Sequence, residues 1–184
     1  MMKHDRHTTR LSKHNYSTSA TYAITIGAFK HYCLFGDIKN QEIIKNNVYE
    51  TIQKYILELP KKFNCVNIPV FVIMPNHIHL IMEIKSNGLS EKDNLSKSSL
   101  HMQSYKINPT LGQIIAYMKY NITKEVNGRG EVSSPEYEGR LFLRGYYDHI
   151  IRNKEDLIKQ TYYIKNNPKC WFYDEYFKKK KIGS

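Results

Sequence analysis

Residues 67 to 84 read NIPVFVIMPNHIHLIMEI. The first eight residues are almost all apolar and rich in β-branched types, Pro75 and Asn76 are a turn signal, and the strand pattern then resumes. This order predicts two neighbouring antiparallel strands. Because side chains alternate between the two faces of a strand, His77 and His79 are expected to project from the same face.

The regions on either side of this pair alternate between strand and helix patterns. Residues 21–26 and 140–151 look extended, and three amphipathic helices are predicted over residues 41–59, 109–127 and 154–167. The order strand, helix, strand, strand, helix, strand, helix is typical of a split β-α-β arrangement. We therefore predict an α+β fold, a ferredoxin-like antiparallel sheet packed by helices on one face.

The composition favours a soluble nucleic-acid-binding protein. A formal net charge of +11 suits a phosphate backbone, and 15 tyrosines offer stacking platforms for unpaired bases. A basic surface without such a partner is the ordinary alternative. The three cysteines have no paired spacing, so neither a disulfide framework nor a cysteine zinc site is indicated. No signal sequence or membrane span is recognisable, and we expect a cytoplasmic protein with no membrane association.

The chain is predicted to form one domain with irregular extensions. A polar, basic N-terminal arm is expected over residues 1–19 and a single folded domain over residues 20–177. A stretch rich in Ser, Asn and Lys predicts a flexible insertion over residues 85–108. Residues 178–184 are expected to form a basic tail.

His77 and His79 are the first candidate functional residues. Two imidazoles on one face of a rigid strand can share a metal ion. A His-x-His pattern alone is equally consistent with polar residues satisfied at a sheet edge. Other parts of the sequence therefore have to decide between a structural pair and a metal-binding pair.

Tyr163 on the third predicted helix is the candidate nucleophile. Lys159, Tyr163 and Asn167 are spaced four residues apart and form a polar stripe. A tyrosine can attack a phosphodiester when a metal polarises the phosphate, which gives a covalent phosphotyrosine. Asn167 would add an amide oxygen to the histidine pair. A tyrosine at a core boundary is the ordinary alternative, and neighbouring Tyr162 is predicted to pack in that way with Ile158.

Two tyrosines of the second predicted helix are alternative nucleophiles. Tyr117 is followed four residues later by Asn121, whereas Tyr120 has Lys124 at that spacing. On the residues alone, Tyr117 therefore stays open beside Tyr163.

Three separated segments together resemble a known family. They are MPNHIHLI at residues 74–81, GYYDHIIRN at residues 145–153 and YIKNNP at residues 163–168. In this order they resemble the one-tyrosine transposases of the HUH class, and more closely the branch associated with repetitive extragenic palindromes. The segment CLFGDI at residues 33–38 is also similar, so the resemblance covers almost the whole chain.

The resemblance implies a metal-dependent single-stranded DNA endonuclease and strand transferase. It implies a 5′-phosphotyrosine intermediate at DNA hairpins and a free 3′-hydroxyl. Tyr163 is then the nucleophile, ranked above Tyr117. His77, His79 and Asn167 are then ligands of Mg²⁺ or Mn²⁺, which fits a donor set of imidazole nitrogens and an amide oxygen.

The expected partner is single-stranded or hairpin DNA, bound by a monomer or a homodimer. Basic segments flank the site in this branch, and basic residues of this chain are predicted to contact DNA. They are Lys3, Arg6 and Arg10 in the arm and Arg144, Arg152 and Lys159 in the domain. One alternative is a domesticated relative that holds structured DNA without cutting it. A zinc hydrolase built on the histidine pair ranks lower, because no Glu or Asp stands at a recognisable spacing.

Overall fold

A computed structural model describes residues 19–85, 109–130, 132, 138–174 and 177. The predicted arm over residues 1–19, insertion over 85–108 and tail over 178–184 lie, apart from Ser19 and Lys85, outside the described residues. No helix among the described residues combines the length and the apolar character that crossing a membrane requires.

The described residues form six strands and three α-helices. The strands are β1 (Ala20–Gly27), β2 (Gly36–Lys39), β3 (Glu42–Lys45), β4 (Val66–Ile73), β5 (His77–Ile84) and β6 (Tyr147–Ile151). The helices are α1 (Asn47–Lys62), α2 (Leu111–Arg129) and α3 (Lys154–Asn166), and a 3₁₀ segment at Asn167–Tyr173 continues α3. The two predicted strands around the Pro-Asn turn and the predicted second and third helices are confirmed to within about three residues at each end.

The main sheet has the strand order β4-β5-β1-β6, with every neighbouring pair antiparallel. In chain order these are the second, third, first and fourth strands of the sheet, which is the ferredoxin-like arrangement. The predicted α+β class is confirmed. Strands β2 and β3 form a separate two-stranded sheet that precedes α1.

The start of the first helix differs from the prediction. Residues 42–45, which were predicted to be helical, form β3 instead. Asn40 and Gln41 have positive φ values of 52° and 65° and make the tight turn between β2 and β3. Asn46 then caps α1 by accepting a 2.8 Å hydrogen bond from the Tyr49 N–H. Turn and cap chemistry outweighs a short helical periodicity here.

The two faces of the sheet bury different helices. Ile24 and Leu80 lie in the same core cluster as apolar residues of α1 and α2. Ile81 is buried on the other face with Ile164 of α3. The predicted helical layer is thus formed by α1 and α2, and α3 differs from the prediction by covering the opposite face. Successive side chains of a strand point to opposite faces of the sheet, so every second residue faces away from α1 and α2. These residues are covered by α3.

Candidate active site

His77 and His79 lie side by side on the face of β5 that α3 covers. Both side chains are buried, and their ring centroids are 4.5 Å apart at an interplanar angle of 75°. The spacing of two residues on one strand therefore brings both imidazoles to one point of the molecule.

Asn76 determines which nitrogen of His77 carries the proton. The Asn76 Nδ2 donates a 3.1 Å hydrogen bond to the His31 carbonyl, which can only accept. Its Oδ1 therefore faces the His77 Nδ1, 2.8 Å away, and that ring nitrogen has to be the donor. The lone pair of His77 is then on Nε2, the atom that points away from this network and is suited to a metal.

Thr25 on β1 holds the second imidazole. The Thr25 Oγ1 is 2.8 Å from the His79 Nδ1, and the two residues are directly paired across the sheet. With Nδ1 engaged, Nε2 is again the nitrogen left for a metal. It is buried and has no hydrogen-bond partner among the described residues.

Asp174 supplies an acidic group that spacing in the sequence does not reveal. The ligand atoms of His77, His79 and Asp174 all lie within 4.8 Å of one another, so this group can hold a metal ion. The Asp174 Oδ2 is 3.8 Å from the His77 Nε2. Asp174 follows the 3₁₀ segment after α3, and the fold brings it back over β5.

Asn167, the predicted third ligand, lies at the same site. It is the first residue of the 3₁₀ segment, is buried, and lines a cavity together with His79 and Asp174. Its Oδ1 is buried without a hydrogen-bond partner among the described residues. Buried oxygens are rarely left in this state, so the donor set of imidazole nitrogens, a carboxylate and an amide oxygen fits a divalent cation.

Tyr163 lies against the histidine pair within the same chain. Its ring centroid is 5.2 Å from that of His79, at an interplanar angle of 71°. The side chain is 49% exposed, so a substrate can reach it from solvent. The adjacent Tyr162 and its expected partner Ile158 are both exposed, which means that Tyr162 does not pack into the core as predicted.

The alternative tyrosines lie elsewhere. Tyr117 packs edge-on against Phe63, 5.3 Å between ring centroids, in the core formed with α1. Tyr120 on the same helix is exposed and lines a separate cavity. Since the sheet separates α2 from the face that carries the histidines, this placement favours Tyr163 as the nucleophile.

The predicted DNA-binding residues fall into three groups. Lys159 is exposed one turn before Tyr163, and Arg152 is exposed at the beginning of α3. Arg144 lies at the cavity that contains Tyr120, and its carbonyl accepts a 3.4 Å hydrogen bond from Lys119. The residues Lys3, Arg6 and Arg10 lie outside the described residues.

Burial keeps both imidazoles neutral. Desolvation lowers the pKa of His79 to about 4. It also lowers the pKa of His77 well below its ordinary value, with further contributions from the neighbouring His79 and His31. Neutral imidazole is the form that binds a metal, so near pH 7 neither ring has to lose a proton first.

Replacing Asn76 with alanine is expected to weaken Mn²⁺ binding by roughly 10- to 100-fold, the usual effect of losing a residue that orients a ligand. The population of the Nδ1–H tautomer of His77, which the nitrogen chemical shifts of its ring report, should fall at the same time. Calorimetric titration and NMR of the metal-free protein measure the two effects. Asn67→Ala on β4 is the matched control, since the Asn67 side chain donates a 2.9 Å hydrogen bond to Glu83 and not to a histidine. Unchanged affinity and tautomer would show that Asn76 does not orient the ring.

The metal-free protein is expected to lose stability as the pH falls from 6.5 towards 4. Because the folded-state pKa of His79 is about 4, the unfolded chain binds its proton first in this window and unfolding becomes easier. The contribution of His79 is on the order of 1 kcal/mol per pH unit within the window. Urea unfolding of the wild type and of His79→Gln measures it. Parallel pH profiles of the two proteins would contradict this expectation.

The chain resembles known proteins in sequence and in structure. No family model matches it. A protein of Haemophilus influenzae, named Uncharacterized protein, is 32% identical over 176 residues, which cover 95% of this chain and 94% of the relative. The chain belongs to the same family as this Haemophilus protein.

Among solved structures, a REP-associated tyrosine transposase bound to a REP hairpin superposes with a TM-score of 0.53. The match covers 90% of this chain and 76% of the other, at 14% identity. The chain therefore shares the fold of this protein. The fold implied by the resemblance of the three motifs is thereby confirmed.

Proposed function

We propose that the protein is a tyrosine transposase of the REP-associated type, a metal-dependent single-stranded DNA endonuclease and strand transferase. The observation that carries this proposal is the contact between Tyr163 and His79, 5.2 Å between ring centroids, beside a buried group of two histidines and an aspartate. A nucleophile and a candidate metal site thus adjoin one cavity of a single chain.

Four residues would hold the cation: His77, His79, Asp174 and Asn167. A bound divalent ion would polarise the scissile phosphate and neutralise charge that develops on it. The carboxylate and amide oxygens suit Mg²⁺, whereas the two imidazoles move the preference towards Mn²⁺. Asn76 and Thr25 orient the imidazoles, and burial on the α3 side keeps bulk water from their Nε2 atoms.

Tyr163 would attack the phosphorus atom through its Oη. The Oη–P bond forms while the P–O3′ bond breaks, so the protein keeps the 5′-phosphate and the other DNA strand end leaves with a 3′-hydroxyl. The phenol proton is lost in this step and the departing O3′ gains one. The energy of the broken bond is kept in the phosphotyrosine, which permits transfer to a new 3′-hydroxyl.

Basic residues around the cavity would bind the DNA backbone. Lys159 and Arg152 are exposed on and beside α3, where phosphates approaching Tyr163 can pass. Arg144 is proposed to contact a more distant part of the hairpin. Lys3, Arg6 and Arg10 of the arm are proposed to do the same. The proposed nuclease domain spans residues 20–177, and the protein is proposed to act in the cytoplasm. Each chain contains both the tyrosine and the metal ligands, so a monomer would hold a complete site.

The direct experiment uses hairpin oligonucleotides with single-stranded flanks, labelled at either the 3′ or the 5′ end. With Mn²⁺, the 3′-labelled strand is expected to become covalently attached to the protein and to survive denaturing electrophoresis. The 5′-labelled strand should shorten and end in a hydroxyl that a polymerase can extend. Hairpin binding that persists in chelator, with no adduct for any hairpin, would favour the non-cleaving DNA-binding alternative.

A zinc hydrolase is the second candidate, because Asp174 provides the acidic ligand that the sequence spacing lacked. If the protein is a zinc hydrolase, the purified protein should contain one zinc ion per chain and should hydrolyse its substrate without a covalent intermediate. Elemental analysis together with the adduct assay separates the two functions.

A further inference from the structure

A cavity of about 480 Å³ extends from Tyr163 along the surface between α3 and the sheet. Its polar and aromatic walls include Thr25, Tyr147, His149, Gln160 and Asn167. Tyr147 and His149 come from β6, which pairs with β1 on the side away from the histidine strand. The cavity therefore reaches well past the candidate metal site.

A hydrogen-bonded His149–Asp156 pair stands at the far side of this cavity. The His149 Nε2 is 2.8 Å from the Asp156 Oδ2. The His149 bond is the main reason that the pKa of Asp156 is lowered, and hydrogen bonding from the Gln160 side chain and the Arg152 backbone lowers it further. The Asp156 N–H donates a 2.9 Å hydrogen bond to Asn153, the cap of α3. The pair is thus fixed to the first turn of the helix.

The helix sets the distance between this pair and the nucleophile. Asp156, Gln160, Tyr163 and Asn167 follow one another at intervals of four, three and four residues, which places them on one face of α3 and its continuation. At a rise of 1.5 Å per residue, Asp156 and Tyr163 are separated by about 10 Å along the axis. One nucleotide can lie in the space between them.

His149 and Gln160 each keep one hydrogen-bond acceptor for a ligand. His149 donates to Asp156 through Nε2, so in its neutral form Nδ1 accepts. Gln160 donates to Asp156 through its amide nitrogen, which leaves Oε1 as an acceptor. Tyr147 is 55% exposed beside them and offers a ring for stacking. Two acceptors and an aromatic ring match the edge and the face of an amino-bearing nucleobase.

We propose that this cavity is a subsite for the unpaired base next to the phosphate that Tyr163 attacks, and that His149 and Gln160 select a base with an exocyclic amino group. This inference rests on the proposed nuclease function. Adenine, cytosine and guanine carry such a group, whereas thymine does not. Asp156 acts as a positioning residue, because it directs the free acceptors of both side chains.

The experiment measures adduct formation in Mn²⁺ with hairpin substrates that carry each of the four bases on either side of the cleaved phosphate. At one of these positions, thymine is expected to slow the wild type by roughly 10-fold relative to its best amino-bearing base. Gln160→Leu and His149→Phe should reduce this ratio towards one, and Tyr147→Leu should slow all substrates alike. Lys165→Ala, an exposed change on the same helix, is the control that should keep the ratio.

A second measurement compares binding affinities in chelator. Fluorescence anisotropy gives the ratio of affinities for hairpins that differ only in that base. Adducts that form at equal rates with all four bases, or a ratio that survives both substitutions, would overturn the subsite. If the wild type forms no adduct at all, the proposed nuclease function has failed. The binding ratio and its loss in Gln160→Leu then test the subsite alone, and equal binding of all four hairpins would refute it.

Discussion

Tyr163→Phe is expected to abolish the covalent protein–DNA adduct, with a loss of roughly 1,000-fold or more in its rate of formation. The substitution removes the only atom of the side chain that can bond to phosphorus and keeps the ring that packs against His79. Hairpin binding in chelator should change little, because the backbone contacts proposed for Lys159 and Arg152 remain. The adduct is quantified by denaturing electrophoresis of 3′-labelled DNA.

Tyr162→Phe is the matched control for this prediction. It changes the same residue type at the preceding position of α3, about 100° around the helix from Tyr163, where the side chain is 70% exposed. The control should form adduct at the wild-type rate. Tyr117→Phe should also do so, since that ring packs against Phe63 on the other side of the sheet. An adduct that persists in Tyr163→Phe and is lost in either control would assign the nucleophile to another tyrosine.

His79→Ala and Asp174→Ala are each expected to weaken Mn²⁺ binding by more than roughly 100-fold, which exceeds the usual effect of residues that only orient a ligand. Cleavage should fall in parallel and should recover partly at high metal concentration. Both side chains belong to the group whose ligand atoms lie within 4.8 Å of one another. Calorimetry and the paramagnetic spectrum of bound Mn²⁺ report the affinity without relying on activity.

Glu155→Gln is the control for the metal measurements, because Glu155 is an exposed acid in the first turn of α3. The affinity of the Glu155→Gln protein for Mn²⁺ should match that of the wild type. Asn167→Ala, measured beside Asp174→Ala, shows which of the two side chains contributes more to binding. Full Mn²⁺ affinity in both His79→Ala and Asp174→Ala would refute the proposed metal centre.

Several features of the fold could be predicted because they depend on neighbouring residues. The two strands around Pro75 and Asn76 follow from an apolar pattern and a turn, and the position of His77 and His79 on one face follows from strand alternation alone. The start of α3 follows from Asn153, whose side chain accepts a hydrogen bond from the Asp156 N–H. The helix predicted from residue 41 was wrong at its beginning, because a turn with two positive φ values lies there.

Other features depend on contacts between segments that are distant in the chain. Asp174 has no periodic relation to the histidines, and it joins them only because the 3₁₀ segment after α3 returns over β5. The role of Asn76 depends on the His31 carbonyl, whose position is set by a loop beside the sheet. The pairing of His149 with Asp156 likewise needs β6 and α3 to pack together. No local sequence pattern predicts such long-range contacts.

The amino-acid sequence by itself therefore determined the secondary structure around the histidine pair, the face on which that pair lies and the resemblance that singled out Tyr163. The tertiary structure decided that α3 covers the histidine face, that Asp174 joins the histidines in the candidate metal group, and that a cavity continues from Tyr163 to His149. The physical reason is the distance along the chain over which each kind of interaction acts. Periodicity and capping act over a few residues, whereas packing across a sheet depends on which apolar surfaces are buried together.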